Sequence, residues 1–145
     1  MTKTIDTALY IDTLLSLLNE GNHDVPLPIK GISMRPFLRE GDTAFLNKLQ
    51  KSLKKGDIVL FRRLDGSYVL HRIAKVCADG SFMLLGDCQT RLEPIDFNCI
   101  LAIATSARRK GKLITESSPV WIFYRTLWLD LYRLRRYFAI FKKTP

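Results

Sequence analysis

The stretch Gly31-Ile32-Ser33-Met34-Arg35-Pro36-Phe37-Leu38-Arg39-Glu40-Gly41-Asp42 decides how the chain is read. Taken by itself it is modest. Ser33 reads as a turn serine ahead of Pro36. Asp42 follows a glycine and reads as a turn former, because Asp readily bonds its own backbone. The flanking segments give the stretch its meaning.

Upstream, Val25-Pro26-Leu27-Pro28 must be extended, since each residue before a proline is pushed out of the α region. Before it, residues 4–19 place Ile5, Ala8, Leu9, Ile11, Leu15 and Leu18 at helical spacing, and Gly21-Asn22 ends that amphipathic helix. Downstream, strand signals run from Thr43 to Thr105: Thr43–Asn47, the apolar run Asp57–Arg62, Tyr68–Val76, Phe82–Leu85 and Asn98–Thr105. Asp65-Gly66 and Asp79-Gly80 are hairpin turns between apolar runs. A basic linker, Arg108–Lys112, leads to Ser118-Pro119, an N-cap followed by a first helical proline. The spacing then predicts one helix over 119–142. Val120, Trp121, Tyr124, Leu127, Trp128, Leu131, Leu134 and Phe138 lie on one broad side, and Arg125, Arg136 and Lys143 on the other, with Arg133 beside them. The expected divisions are an amphipathic helix over 1–24, a β body over 25–107, and the linker with its helix over 108–145.

The chain has 145 residues and a formal charge of +9. Residues 108–145 hold ten Lys/Arg and two Asp/Glu, whereas residues 1–107 hold thirteen basic and twelve acidic residues. The basicity therefore belongs to the tail, which argues against a fold that coats nucleic acid with its whole surface. No run of about 18 apolar residues occurs, so a conventional membrane span is not expected, and no signal peptide is visible. Three cysteines, Cys77, Cys88 and Cys99, without a CxxC, and two distant histidines do not suggest a disulfide scaffold or a zinc site. The cysteines read as small buried or half-buried residues, and His23 as a solvent-exposed loop residue. No metal or cofactor is expected.

Gly31–Asp42 resembles the nucleophile box of type I signal peptidases, G-x-S-M-x-P-x-x-x-x-G-D. Three more blocks come after it in that family's order. Gly56-Asp57-Ile58-Val59-Leu60-Phe61 resembles the GD(I/V)V strand, Val69-Leu70-His71-Arg72-Ile73 the second catalytic strand, and Leu85-Gly86-Asp87 the GD(N/S) block, with Cys88 in place of Asn or Ser. The resemblance spans Pro28 to Ala104. It implies a mostly-β barrel of the kind shared with LexA-like peptidases, flanked here by two helices. Where most bacterial members place Lys, this chain has His71. It therefore resembles the Ser–His branch, the archaeal and endoplasmic-reticulum type.

A serine hydroxyl is a poor nucleophile until a base takes its proton, and imidazole is mostly neutral at pH 7. The resemblance assigns Ser33 as nucleophile and His71 as general base. It offers Asp87 and Glu93, with Asp96 as a rival, for orienting His71. The oxyanion would be held by main-chain N–H groups from Gly31, Ile32, Ser33 and Met34. The substrate would be a peptide or protein with small residues before the cleaved bond, added as an extended strand beside Pro28–Ile32 and Phe82–Leu85. Residues 119–143, rich in aromatic rings and arginines, suit a peripheral attachment to a membrane surface, although packing on the body or on a partner fits the same pattern. No nucleic acid partner is expected. Two rivals stand beside the peptidase: a non-catalytic peptide-binding module on the same fold, and a self-cleaving repressor of the DNA-damage type, whose Ser–Lys pair is missing here.

Overall fold

The structure, a computed structural model, describes residues 2–49 and 52–143, with side chains for 9–49 and 52–137. Ile5, Ala8, Phe138 and Lys143 lie outside the described side chains. The order is α1 (Thr2–Asn19), β1 (Val25–Pro28), β2 (Thr43–Asn47), β3 (Ile58–Arg62), β4 (Tyr68–Val76), β5 (Phe82–Leu85), β6 (Glu93–Ile95), β7 (Ile100–Arg109), β8 (Lys112–Thr115), α2 (Pro119–Phe123) and α3 (Tyr132–Lys143). The strands form one antiparallel sheet ordered β1-β2-β7-β3-β4-β5-β6, with β8 beside β7. The mostly-β body between two helical ends is thus as the sequence implies.

The continuous apolar run of β3 has a simple cause: the strand is buried on both faces. Ile58 and Leu60 enter a core with Met34, Phe37, Leu38 and Ala102, while Val59 and Phe61 enter a second core with Ile73, Phe82 and Leu84. Successive side chains alternate between faces, so a strand between two cores cannot carry a polar face. Register shifts at Phe45/Leu46, Leu60/Phe61 and Ile73/Lys75 bend the sheet around the two cores.

Four local readings change. In α1 the body-facing positions are Ile11, Leu14 and Leu18, and Leu9 is exposed. A three- and four-residue step from Ile11 selects Leu14 and Leu18 and turns Leu9 outward. Arg108–Lys112 is no linker, because β7 runs to Arg109 and turns back through Lys110 and Gly111 into β8. Both turn residues have φ near the left-handed region, 51° and 79°, which suits a two-residue hairpin. The three-residue β6 contains Pro94 and sits at the edge of the sheet, the place where a strand tolerates proline. Cys88 is exposed, while Cys77 and Cys99 are half-buried.

The C-terminal helix is broken and divided. After α2, residues Tyr124–Trp128 form a wider π turn, and α3 starts beyond Leu131. The extra residue per turn rotates the helix beyond it. The single broad apolar side consequently becomes two. Trp121 is buried against Phe37, ring centres 5.1 Å apart, and Leu129 is buried with Ala74 and Leu85. Val120, Phe123, Leu127, Leu131 and Leu134 are left exposed. Arg125 lies along Gly56, where even a Cβ would come within 2.3 Å of its side chain. No helix among the described residues is long and apolar enough to cross a membrane.

The docking of this helix is testable. Trp121→Ala should lower the unfolding free energy by about 3 kcal/mol, the range for a buried aromatic cut to alanine, in a urea titration. A loss under about 0.5 kcal/mol, the size of a neutral surface change, would show that the helix is not part of the packed body.

Candidate active site

The Gly31–Asp42 box is a loop pinned at both ends and plugged in the middle. Its ends meet where the Ile29 N–H donates to the Asp42 carbonyl at 2.9 Å. Met34, Phe37 and Leu38 are buried in the first core, which leaves Ser33 half-buried at the surface. Asp42 accepts the Arg39 N–H at 2.9 Å and pairs with Arg109 at 2.8 Å. Burial acts most strongly on Asp42 and raises its pKa, but Arg109 and the Arg39 N–H outweigh it and hold the carboxyl below its ordinary value. Asp57 likewise accepts the Lys54 N–H at 2.9 Å, and burial pushes it up. Both aspartates are turn formers, as their positions after glycine suggest.

Ser33 is fixed by its main chain. Its carbonyl accepts the Cys88 N–H at 3.0 Å. Gly86 makes this approach possible, because a Cβ there would stand 2.5 Å from the Ser33 carbonyl oxygen. The amides of Ile32, Ser33 and Met34 donate to no group among the described residues, whereas that of Gly31 reaches Glu40 Oε1 at 3.4 Å. Three unspent amides around one serine are what an oxyanion requires.

Asp87 and Arg72 tie the box to the strand of His71. Their side chains are 2% and 0% exposed and meet through two bonds of 2.7 Å, and Arg72 also donates to the Gly56 carbonyl at 3.0 Å. Burial pushes Asp87 up while Arg72 pulls it down. The two-pronged geometry is that of an ionised pair. Both Asp87 oxygens are thus engaged away from His71, and Asp87 braces the site. The indole Nε1–H of Trp128 donates to the Asp87 carbonyl at 2.8 Å, fastening the C-terminal helix at the same point.

His71 is 1% exposed, opposite Val59 in β3 and 5.6 Å from the Phe61 ring. Its Nδ1 is sealed and has no hydrogen-bond partner among the described residues. Burial pulls its pKa down to about 4, with Glu93 acting to raise it and Arg63 to lower it. Glu93 is therefore the carboxylate that His71 senses. Its oxygens are held by Arg63 in two bonds of 2.8 Å, which draw its pKa down. Asp96 is exposed at the head of a single turn, Phe97–Cys99, with no side-chain cap. No hydrogen bond joins Ser33 and His71 among the described residues.

An apolar cleft of about 370 Å³ opens on Ser33. Leu27 and Ile29 form one wall, Leu60 and Leu70 another, and Ile11 of α1 a third. It lies between two unpaired edges: β1 pairs only with β2, and β4 pairs with β5 only from Arg72 onward. Pro28, Ile29 and Lys30 line this cleft, while Phe82–Leu85 does not. β5 is paired on both edges, by β4 and β6, and has no free side for a peptide. Sequence reasoning also missed Arg72, Trp128 and Arg135. Arg72 carried a signal, being a charged residue inside an apolar strand.

This geometry has two measurable consequences. Gly86→Ala forces the Ser33 loop off its turn, and should cut peptide cleavage at least about tenfold, since misplacements near 1 Å carry costs of that size. Unchanged cleavage in a steady-state assay would contradict the tight approach. Second, below pH 6.5 the unfolded chain takes up a proton that folded His71 refuses until about pH 4. Stability is therefore lost as pH falls across that window, by roughly 3 kcal/mol relative to His71→Gln. Parallel denaturation curves for the two proteins from pH 7 to pH 4 would contradict the buried neutral imidazole.

Comparison with known proteins supplies one match. Residues 2–104 match the family model described as Peptidase S24-like. No curated protein and no solved structure matches the chain. The match covers well over half of the chain and includes the serine box, the His71 strand and the turn that joins them, so this chain belongs to the Peptidase S24-like family, a family of serine-type peptidases.

Proposed function

We propose that the chain is a serine endopeptidase of signal-peptidase type, cleaving signal or leader peptides held as an extended strand, with Ser33 as nucleophile and His71 as general base. One observation carries this reading: a serine surrounded by unspent amides sits at the mouth of an apolar cleft with an unpaired strand edge on each side. A peptide laid in the cleft would satisfy both edges through its main chain. The apolar walls suit small, uncharged side chains before the cleaved bond.

In the reaction, Ser33 Oγ attacks the scissile carbonyl carbon and its proton passes to His71. The Ile32, Ser33 and Met34 amides hold the oxyanion. The intermediate collapses, the peptide C–N bond breaks, and His71 returns the proton to the departing amine. Water then repeats the sequence on the acyl-enzyme, releasing the carboxylate product and restoring Ser33. In this structure the imidazole faces the second core, on the far side of β4 from the Ser33 cleft, so taking this proton requires the His71 side chain to leave that core. Glu93 supports the imidazolium charge from behind, and Asp87 keeps Arg72, and with it the His71 strand, in register.

A second reading, a peptide-binding module that does not turn over, draws support from the depressed basicity of His71 and its vacant Nδ1. The two readings separate on product. The peptidase releases two fragments of a leader-type peptide, Ser33→Ala and His71→Ala each abolish release with the fold intact, and the acid limb of kcat/KM falls near pH 4. Intact peptide recovered from the unaltered protein, or full activity in either variant, would overturn the assignment.

The exposed stripe Val120, Phe123, Leu127, Leu131 and Leu134, beside exposed Arg133 and Arg136, supports peripheral attachment to an anionic membrane. The chain should co-sediment with vesicles containing phosphatidylglycerol at low salt, and Leu127→Asp with Leu134→Asp should abolish this. Failure of the unaltered protein to co-sediment would refute the attachment.

A further inference from the structure

Three arginines of this chain grip a carboxylate with the same edge of the guanidinium, the Nε and Nη2 donors. Arg63 holds Glu93 this way, Arg72 holds Asp87, and Arg109 holds Asp42. Arg135 offers the same edge. Its Nε and Nη2 are sealed from water and have no hydrogen-bond partner among the described residues. The rest of the group is already fixed. Nη1 donates to the Trp128 carbonyl, and the guanidinium lies 4.5 Å over the Trp128 indole. A guanidinium does not lose its proton in a protein, so this is a standing charge. Asp87 is the acidic neighbour, but it is taken by Arg72. Two cations and one anion leave a single positive charge unmatched, and buried charges are normally paired.

The place of this charge bears on the site. Trp128 bonds the carbonyl of Asp87, and the next residue, Cys88, bonds the carbonyl of Ser33. The apolar cleft includes Ser33 but nothing of the 86–88 turn. Ser33 is therefore common to the cleft and to the turn beside which Arg135 lies. A peptide whose leading residues fill the cleft carries its later residues past Ser33.

We propose that the Nε/Nη2 edge of Arg135 receives a carboxylate of the peptide on the leaving-group side of the cleaved bond. This rests on the peptidase reading above. The carboxylate comes from an acidic side chain just after the bond or from a nearby free C-terminus; both present the two oxygens that the fork fits. Entry is through the joint at Leu131, whose N–H is shared by the carbonyls of Leu127 at 3.1 Å and Trp128 at 3.2 Å. α3 swings at that joint to uncover the fork.

The test uses the full-length chain and one leader-type peptide in four forms, with Glu or Gln within three residues after the bond and a C-terminal acid or amide. The native protein should favour Glu over Gln, or acid over amide, by about tenfold or more in kcat/KM, the size of one charge-assisted pair. Which ratio departs from one identifies the source. In Arg135→Met that ratio should fall to about one, and in Arg135→Lys, which keeps the charge without the fork, it should lie between. Binding is read separately in Ser33→Ala, where the Nε–H resonance of Arg135 should shift with the acidic peptide and not with its neutral form. That readout stands even if no peptide is cleaved, so failure of the peptidase reading is told apart from failure of this one. Ratios near one with an unmoved resonance, or a resonance that shifts with phosphatidylglycerol vesicles and not with peptide, would each overturn the proposal.

Discussion

The buried pair of Arg72 and Asp87 is the constraint on which the rest of the site depends. Two charges are withdrawn almost wholly from water, and each is tolerable only because the other is there. The pair sets the distance between β4 and the 86–88 turn. One residue from Arg72 stands His71, and one residue from Asp87 stands Cys88, whose N–H holds Ser33. The Trp128 indole closes on the same aspartate from outside. Strand, serine loop and C-terminal helix are thus referred to one point. Buried ion pairs add little net stability against an apolar alternative. The contribution here is positional: few other contacts could hold three separate segments to one geometry.

Around that point the sheet separates two environments. Leu60 and Leu70 face the core and cleft that Ser33 borders, while Val59, Phe61 and His71 face the second core. This division explains the chemistry of the histidine. Apolar surroundings keep it neutral down to about pH 4, which also makes it a weak base at ordinary pH. The same surroundings make the imidazolium costly, and the Glu93–Arg63 pair is the nearby charge that modulates it. The imidazole is thus neutral, poorly basic and without a partner at Nδ1 among the described residues.

Much of the fold was legible because it rests on local rules. The two Asp-Gly turns appear as hairpins, with Ser67 and Ser81 N–H groups bonded to Asp65 and Asp79. The doubly buried β3 was readable as an unbroken apolar run. Features that depend on distant partners were less legible. Leu129 shows no sign in sequence that it, and not Leu127, meets the body, since a π turn shifts the face. The turn from β7 into β8, Arg108–Lys112, reads as a basic linker because this pairing lies on a polar surface. At the site, the order of four blocks is what singles out Ser33 and His71. The engagement of Asp87 by Arg72 and of Glu93 by Arg63 was not legible, since a carboxylate's partner is chosen in three dimensions. Nothing in the sequence sets Arg135 apart from the other arginines of the tail.

The central claim is that Ser33 is an activated nucleophile. It is tested most directly by intact-protein mass spectrometry after exposure to a serine-reactive phosphonate carrying a short apolar peptide. The account predicts one adduct per chain, mapped to Ser33, absent in Ser33→Ala and strongly slowed in His71→Ala. No adduct on the native, folded protein, or an adduct that persists in Ser33→Ala, would contradict it.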